Sequence, residues 1–151
     1  MAAYPKCYLN EIVETQGKLF EYVADFTPKV NVEDFINKYM MSKTRMYLDR
    51  ADAYLSNLNA KELYDYFCQT ENYTPKKGDG LDGFKPNWIG QFYAFYQWKN
   101  NTPSVAVIKK LPLDFMEASY YGLHDLDIDL AEKKPQQPQG EQEETKGQQG
   151  R

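Results

Sequence analysis

Apolar residues recur along most of this chain at helical spacing. Leu9, Ile12, Val13, Leu19, Phe20 and Val23 fall every three to four positions or multiples of that step, which predicts one amphipathic helix over about 6–25. Polar Gln16 sits inside that apolar stripe. Thr27-Pro28 interrupts the pattern. Asn31 then offers a helix cap, with Glu33 and Asp34 favourable in the first turn and Phe35, Ile36, Tyr39 and Met40 facing inward. Met46, Tyr47 and Leu48 either prolong this helix or open another after Ser42, and the pattern leaves both open. Asn59-Ala60-Lys61-Glu62 resembles a capping box and predicts a helix over about 60–70 that buries Ala60, Leu63, Phe67 and Cys68.

A loop rich in Gly, Pro, Asp and Lys follows, over about 71–86. The next segment, 86–101, is the most aromatic of the chain. Trp88, Phe92, Phe95 and Tyr96 share one face, and Ile89, Tyr93 and Trp98 spread the apolar surface sideways. An apolar stripe somewhat over about 100° wide is what one core contact buries. This helix is therefore either wrapped on two sides or presents its excess face to a partner. The wrapped arrangement is favoured, because exposed aromatic patches are costly in a soluble monomer. Thr102 caps a short helix ending at Lys109-Lys110, with Pro103 at its first position. Pro112 begins the last helix, with Phe115, Met116 and Tyr120 inward and Gly122 as its C-terminal cap. From Asp125 to Leu130 acids and apolar residues alternate as in a strand. No partner strand is evident, and Leu123, Leu126 and Leu130 also fit a helix face, so helix is preferred over strand there.

The expected fold is thus all-α, a single compact domain of about five to seven helices over residues 1–131. After Ala131 the composition changes. Residues 132–151 hold no large apolar side chain, and Glu132, Glu141, Glu143 and Glu144 offset Lys133, Lys134, Lys146 and Arg151. Such a segment cannot offset its ordering entropy by burial, which predicts a disordered tail. The formal net charge of −4 then belongs to the body.

Composition narrows the chemistry. The single histidine and two cysteines among 151 residues exclude zinc fingers, multi-histidine metal hydrolases and disulfide scaffolds. Cys7 and Cys68 are expected as small buried hydrophobes in a reducing, cytoplasmic setting. The N-terminal residues do not have the layout of a secretory signal, and no apolar run approaches a membrane span. Tyrosine is abundant at 13 residues, which suits a core rim or a partner-binding face.

Candidate sites are few. Gly78-Asp79-Gly80-Leu81-Asp82-Gly83 matches the spacing of a dinucleotide loop, but no strand precedes it and its aspartates would repel phosphate, so it reads as a flexible turn. Asp125, Asp127 and Asp129 begin a calcium-loop spacing that fails at Leu130 and Gln136. His124 lacks any local nucleophile motif. Glu11 with Glu14, and Glu62 with Asp65, stand one helical turn apart, as solvated surface charge commonly does. Lys43, Arg45 and Arg50 form either a phosphate-binding patch or an ion-pair face, for example Arg45 with Asp49. Neither a catalytic set nor a metal or cofactor site is expected. The residues assigned to partner binding are Tyr93, Trp98, Lys76, Lys77 and Lys85.

With Tyr8–Gly17, Trp88–Trp98 and Gly122–Asp127 in view, the chain over about 8–131 resembles small helical proteins of gut Firmicutes encoded near genes of toxin–antitoxin type. That group has no established fold or binding residue to carry over. The resemblance implies a cytoplasmic accessory protein of a mobile or defence locus, able to bind a toxin. The expected function is therefore non-catalytic protein–protein interaction, of an antitoxin, immunity or inhibitor-like kind, with another protein as partner and a second copy of the chain also open. A nucleic-acid-associated regulator using Lys43, Arg45 and Arg50 is one alternative, and a small carboxylate-based enzyme is another.

Overall fold

The structure, a computed structural model, describes residues 3–123. After a short 3-10 turn at Lys6–Tyr8 come α1 (Leu9–Ala24), α2 (Val32–Met40), α3 (Lys43–Asp49), α4 (Ala53–Ser56), α5 (Ala60–Glu71), α6 (Lys85–Lys99), α7 (Ser104–Lys110) and α8 (Leu113–Leu123). The all-α class holds among the described residues, with one more helix than expected. The addition is α4, a single turn capped by Asp52, whose side chain accepts the Leu55 N–H. Four residues are too few to show a period. His124, the alternating segment 125–130 and the tail 132–151 lie outside the described residues.

Side-chain caps fix the starts of α2, α3, α4 and α5. The Asn31 side chain accepts the Asp34 N–H, and Asn59 and Glu62 form a reciprocal capping box. Ser42 accepts the Arg45 N–H, so Met46 to Leu48 belong to a new helix. Two expected caps are corrected. Pro103 is itself the N-cap of α7, in extended conformation, while the Thr102 hydroxyl donates to the Asn100 carbonyl. Gly122 lies inside the last turn of α8 rather than beyond it.

The bundle is built on α1 and α6. Tyr4 pairs with Ala94, Gln16 with Gly90 and Glu21 with Asn87, so the two helices run antiparallel. They cross at two glycines. A Cβ on Gly90 would stand 2.6 Å from the Gln16 carbonyl oxygen and 2.9 Å from Gly17 Cα. Backbone meets backbone there, and any side chain would push the helices apart.

On one side of this pair, α2 and α5 supply an aromatic core. Phe20 meets Phe35 edge-on at 6.1 Å, and Phe35 meets Phe67 edge-on at 5.5 Å, both favoured ring geometries. On the other side α7 and α8 cover α6. The wrapped arrangement of α6 is what the structure has: Trp88, Ile89, Phe92, Tyr93, Tyr96 and even Gln97 are buried. The faces differ from expectation in one detail, for Phe95 is only half-buried whereas Tyr93 is fully enclosed. Tyr4, Tyr39, Tyr64, Tyr93 and Tyr96 are interior, while Tyr47, Tyr54 and Tyr121 are exposed. Tyrosine therefore fills core as well as rim. Cys7 is exposed and Cys68 half-buried, which corrects the expectation that both are buried. No helix among the described residues is long and apolar enough to cross a membrane.

Candidate functional site

Arg45 is fully buried. The helix α3 places Arg45 and Asp49 one turn apart on its inward face, and their side chains pair at 2.6 Å. The other two guanidinium nitrogens also bond within the bundle: Nε donates to Gln16 Oε1 at 2.7 Å, and Nη2 donates to Gln97 Oε1 at 2.8 Å. Gln97 in turn donates to Asp49, whose second oxygen accepts the N–H of Ser104 at 3.2 Å. The ring of Tyr4 lies 5.9 Å from the guanidinium. Burial pushes the hydroxyls of Tyr4 and Tyr39 well above the usual tyrosine range, with Arg45 opposing it. This centre ties α1, α3, α6 and α7 together, and Asp49 anchors the start of α7 from far away in sequence.

Such a closed centre is structural. The void beside it, lined by Gln16, Tyr39 and Ser56 among others, is about 10 Å³, room for one water at most. Arg45 therefore cannot contact a phosphate backbone, and its place in the candidate nucleic-acid patch is corrected. Of that patch, Lys43 and Arg50 are exposed. The ion pair between Arg45 and Asp49 is present as expected, but inside the bundle rather than on a solvated face.

The residues assigned to partner binding fall in separate places. Tyr93 is enclosed, its hydroxyl donating to the Leu111 carbonyl at 2.6 Å, so it is no surface anchor in this fold. Trp98 is half-buried, with its ring 5.8 Å from Phe95. Lys76 and Lys77 belong to a loop tied to α2. The Asn31 N–H donates to the Lys76 carbonyl at 2.7 Å, Lys77 bridges Val30, and Lys76 Nζ lies 3.8 Å from Asp34. Burial raises the Asp34 pKa, but hydrogen bonds from Lys38 and Tyr73 together with the charges of Lys38 and Lys76 outweigh it, and the net shift is downward. The glycine loop is held close as well: a Cβ on Gly78 would stand 2.7 Å from that of Asn31. Lys85 is elsewhere, at the start of α6, where its ammonium lies 6.0 Å from the Tyr120 ring and 5.1 Å from that of Tyr121.

The outer seam of α1 and α6 is open. Phe84, Asn87, Gln91 and Phe95 face Leu9, Val13 and Lys18 across a groove of about 460 Å³. Its apolar walls come from Leu9, Val13, Phe84 and Phe95. Phe84 is 52% exposed at one end, and Trp98 stands beside Phe95 near the other. Polar groups line the rest. Asn87 donates to Glu21 at 3.1 Å and accepts from Gln91, and Glu14 pairs with Lys18 at 2.9 Å on the rim.

A second recess, of about 610 Å³, lies between α2 and the end of α5 and is lined by Asp34, Lys38, Phe67 and Tyr73 among others. Away from both, Glu33, Asp114 and Glu117 bring carboxylate oxygens within 4.8 Å of one another. Burial, and then the charges of Asp114 and Glu117, raise the pKa of Glu33. None of these three acids lines either recess. The helical-turn pairs of acids noted in the sequence are partly engaged at the surface, Glu14 with Lys18 and Asp65 with Lys61.

No protein-family model, curated protein or solved structure matches the chain. Sequence reasoning did not single out Phe84, which sits just ahead of α6. Gln16 was the signal for the buried centre, since a polar residue within an apolar stripe needs a polar partner indoors.

Proposed function

We propose that the protein is a non-catalytic protein-binding module and that the seam between α1 and α6 is its recognition surface. The observation that carries this reading is the groove itself: apolar walls, a half-exposed Phe84 at one end and a charged, amide-rich margin. Aromatic anchors within a polar rim are the usual anatomy of a protein interface. Trp98 extends the apolar side at the Phe95 end, and exposed Tyr121 extends it at the Phe84 end through its neighbour Lys85. The partner is another protein. A chain of net charge −4 is steered toward a basic one. In keeping with the resemblance, the role is that of an antitoxin, immunity or inhibitor-like accessory protein in the cytoplasm.

The test uses the full chain as bait in an extract of its native host, beside Phe84→Asp. Phe84 is half in water already, so the variant should melt within a few degrees of the wild type and lose the captured protein. Capture retained in full by Phe84→Asp would overturn the assignment of this groove.

A further inference from the structure

We propose that the outward face of α3 docks on the outward face of α8 in a second copy of this chain, so that copies associate head to tail. The contact does not involve the groove between α1 and α6, and it stands or falls independently of the recognition reading.

The helix α3 is sharply two-sided. Thr44, Arg45, Leu48 and Asp49 are buried, whereas Lys43, Met46, Tyr47 and the C-cap Arg50 are exposed. Six large hydrophobic side chains are exposed among the described residues, and four of them, Met41, Met46, Tyr47 and Tyr54, lie within residues 41–54. That concentration separates this face from the singly scattered apolar residues of an ordinary surface. Neither Lys43 nor Arg50 pairs with a carboxylate among the described residues, although Lys18, Lys29, Lys38, Lys61 and Lys76 each have one within 4.0 Å. Methionine, tyrosine and arginine are the types that protein interfaces enrich. Two cations beside methionines suit an acidic protein face better than a phosphate backbone, which is held by many more cations.

The chain carries such an acidic face itself, at the start of α8. Asp114 and Ala118 are exposed and Glu117 is half-buried, while Leu113 and Met116 point inward. Glu33, from the first turn of α2, joins the two acids, and the three carboxylates lie within 4.8 Å of one another. No lysine or arginine pairs with any of the three among the described residues. Burial, and then the charges of Asp114 and Glu117, raise the Glu33 pKa, so a cation brought to the trio relieves repulsion that a single copy leaves in place.

The two faces complement each other. Laid antiparallel, they bring Arg50, at the end of α3, onto the acids at the start of α8, with the helix dipoles opposed. A planar guanidinium can bond two carboxylate oxygens at once. Met46 and Tyr47 then cover Ala118, whose small side chain lets the helices approach closely. Because the two patches differ, the contact is heterologous: each copy offers α3 to one neighbour and α8 to another.

Sedimentation velocity on the full chain tests this contact. The sedimentation coefficient should rise with concentration, with a dissociation constant on the order of 0.1 mM as suits a small patch. Association should weaken about tenfold when salt is raised until the screening length falls from about 10 to about 3 Å. Arg50→Glu and Asp114→Lys should each stay monomeric over the same concentration range. An equimolar mixture of the two should associate again, because each supplies the face that the other has lost. Both side chains are exposed, so the melting temperatures should lie within a few degrees of the wild type. Lys43→Glu gives a second reversal on the same face that leaves the C-cap of α3 untouched. A wild-type chain that stays monomeric to about ten times the expected dissociation constant would overturn the proposal. So would association that ignores salt, Asp114→Lys associating as the wild type does, or a mixture no more associated than either variant alone.

Discussion

Arg45 and Phe84 invert the usual rule of inside and outside. The arginine is sealed in the bundle with every guanidinium nitrogen bonded to a named partner, while the phenylalanine is 52% exposed beside an open groove. Both flank the same two helices, α1 and α6. At the buried centre, four helices converge and carry the polar partners that a charge requires. At the outer seam only α1 and α6 meet among the described residues, and the apolar side chains have nothing over them. What lies inside is decided by how many neighbours a face acquires, and those neighbours come from distant parts of the chain.

This contrast can be broken most forcefully at its charged end. Arg45→Ala leaves Asp49 buried without its cation, together with unpaired oxygens on Gln16 and Gln97. The expected loss is about 3–5 kcal/mol, read by urea denaturation. A loss below about 1 kcal/mol would mean the centre is wet or loose. Gly90→Ala sharpens the comparison at the crossing that both regions share. Its methyl would meet the Gln16 carbonyl oxygen, and overpacking of this kind costs about 1–3 kcal/mol by the same measurement.

Local signals and distant ones were unequally legible in the sequence. Asn31, Asn59 and Glu62 are caps within one turn of what they cap, and the sequence places them correctly. The helical period likewise finds α1, α2, α5 and α6. Pro103 and Gly122 mislead because the same residue types fit adjacent positions. The fate of Arg45 was not legible from its own neighbourhood. An i, i+4 pair with Asp49 looks the same on a surface or in a core, and the choice depends on Gln16, Gln97 and Ser104 from three other helices. The groove was hidden for the opposite reason. Spacing shows that Phe92 and Phe95 lie on neighbouring parts of one face, but not that α8 stops short of covering the second.

A smaller effect is expected at the acidic trio. The folded state raises the Glu33 pKa, first through burial and then through Asp114 and Glu117. The ionised group therefore opposes folding above its raised pKa, and that opposition vanishes below the unfolded value. Glu33→Gln should raise the melting temperature at neutral pH. The gain should shrink as pH falls through the carboxylate range, and also as salt screens the cluster. A gain that grew on acidification would reverse the assigned sign.

The central claim is that the α1–α6 groove, and not the buried centre or the α2–α5 recess, is where the protein meets its partner. Hydrogen exchange of the full chain, with and without the captured partner, tests it directly. The account predicts added protection over residues 9–18 and 84–95, with α3 unchanged. Protection gathered instead on residues 34–41 and 67–74 would contradict it.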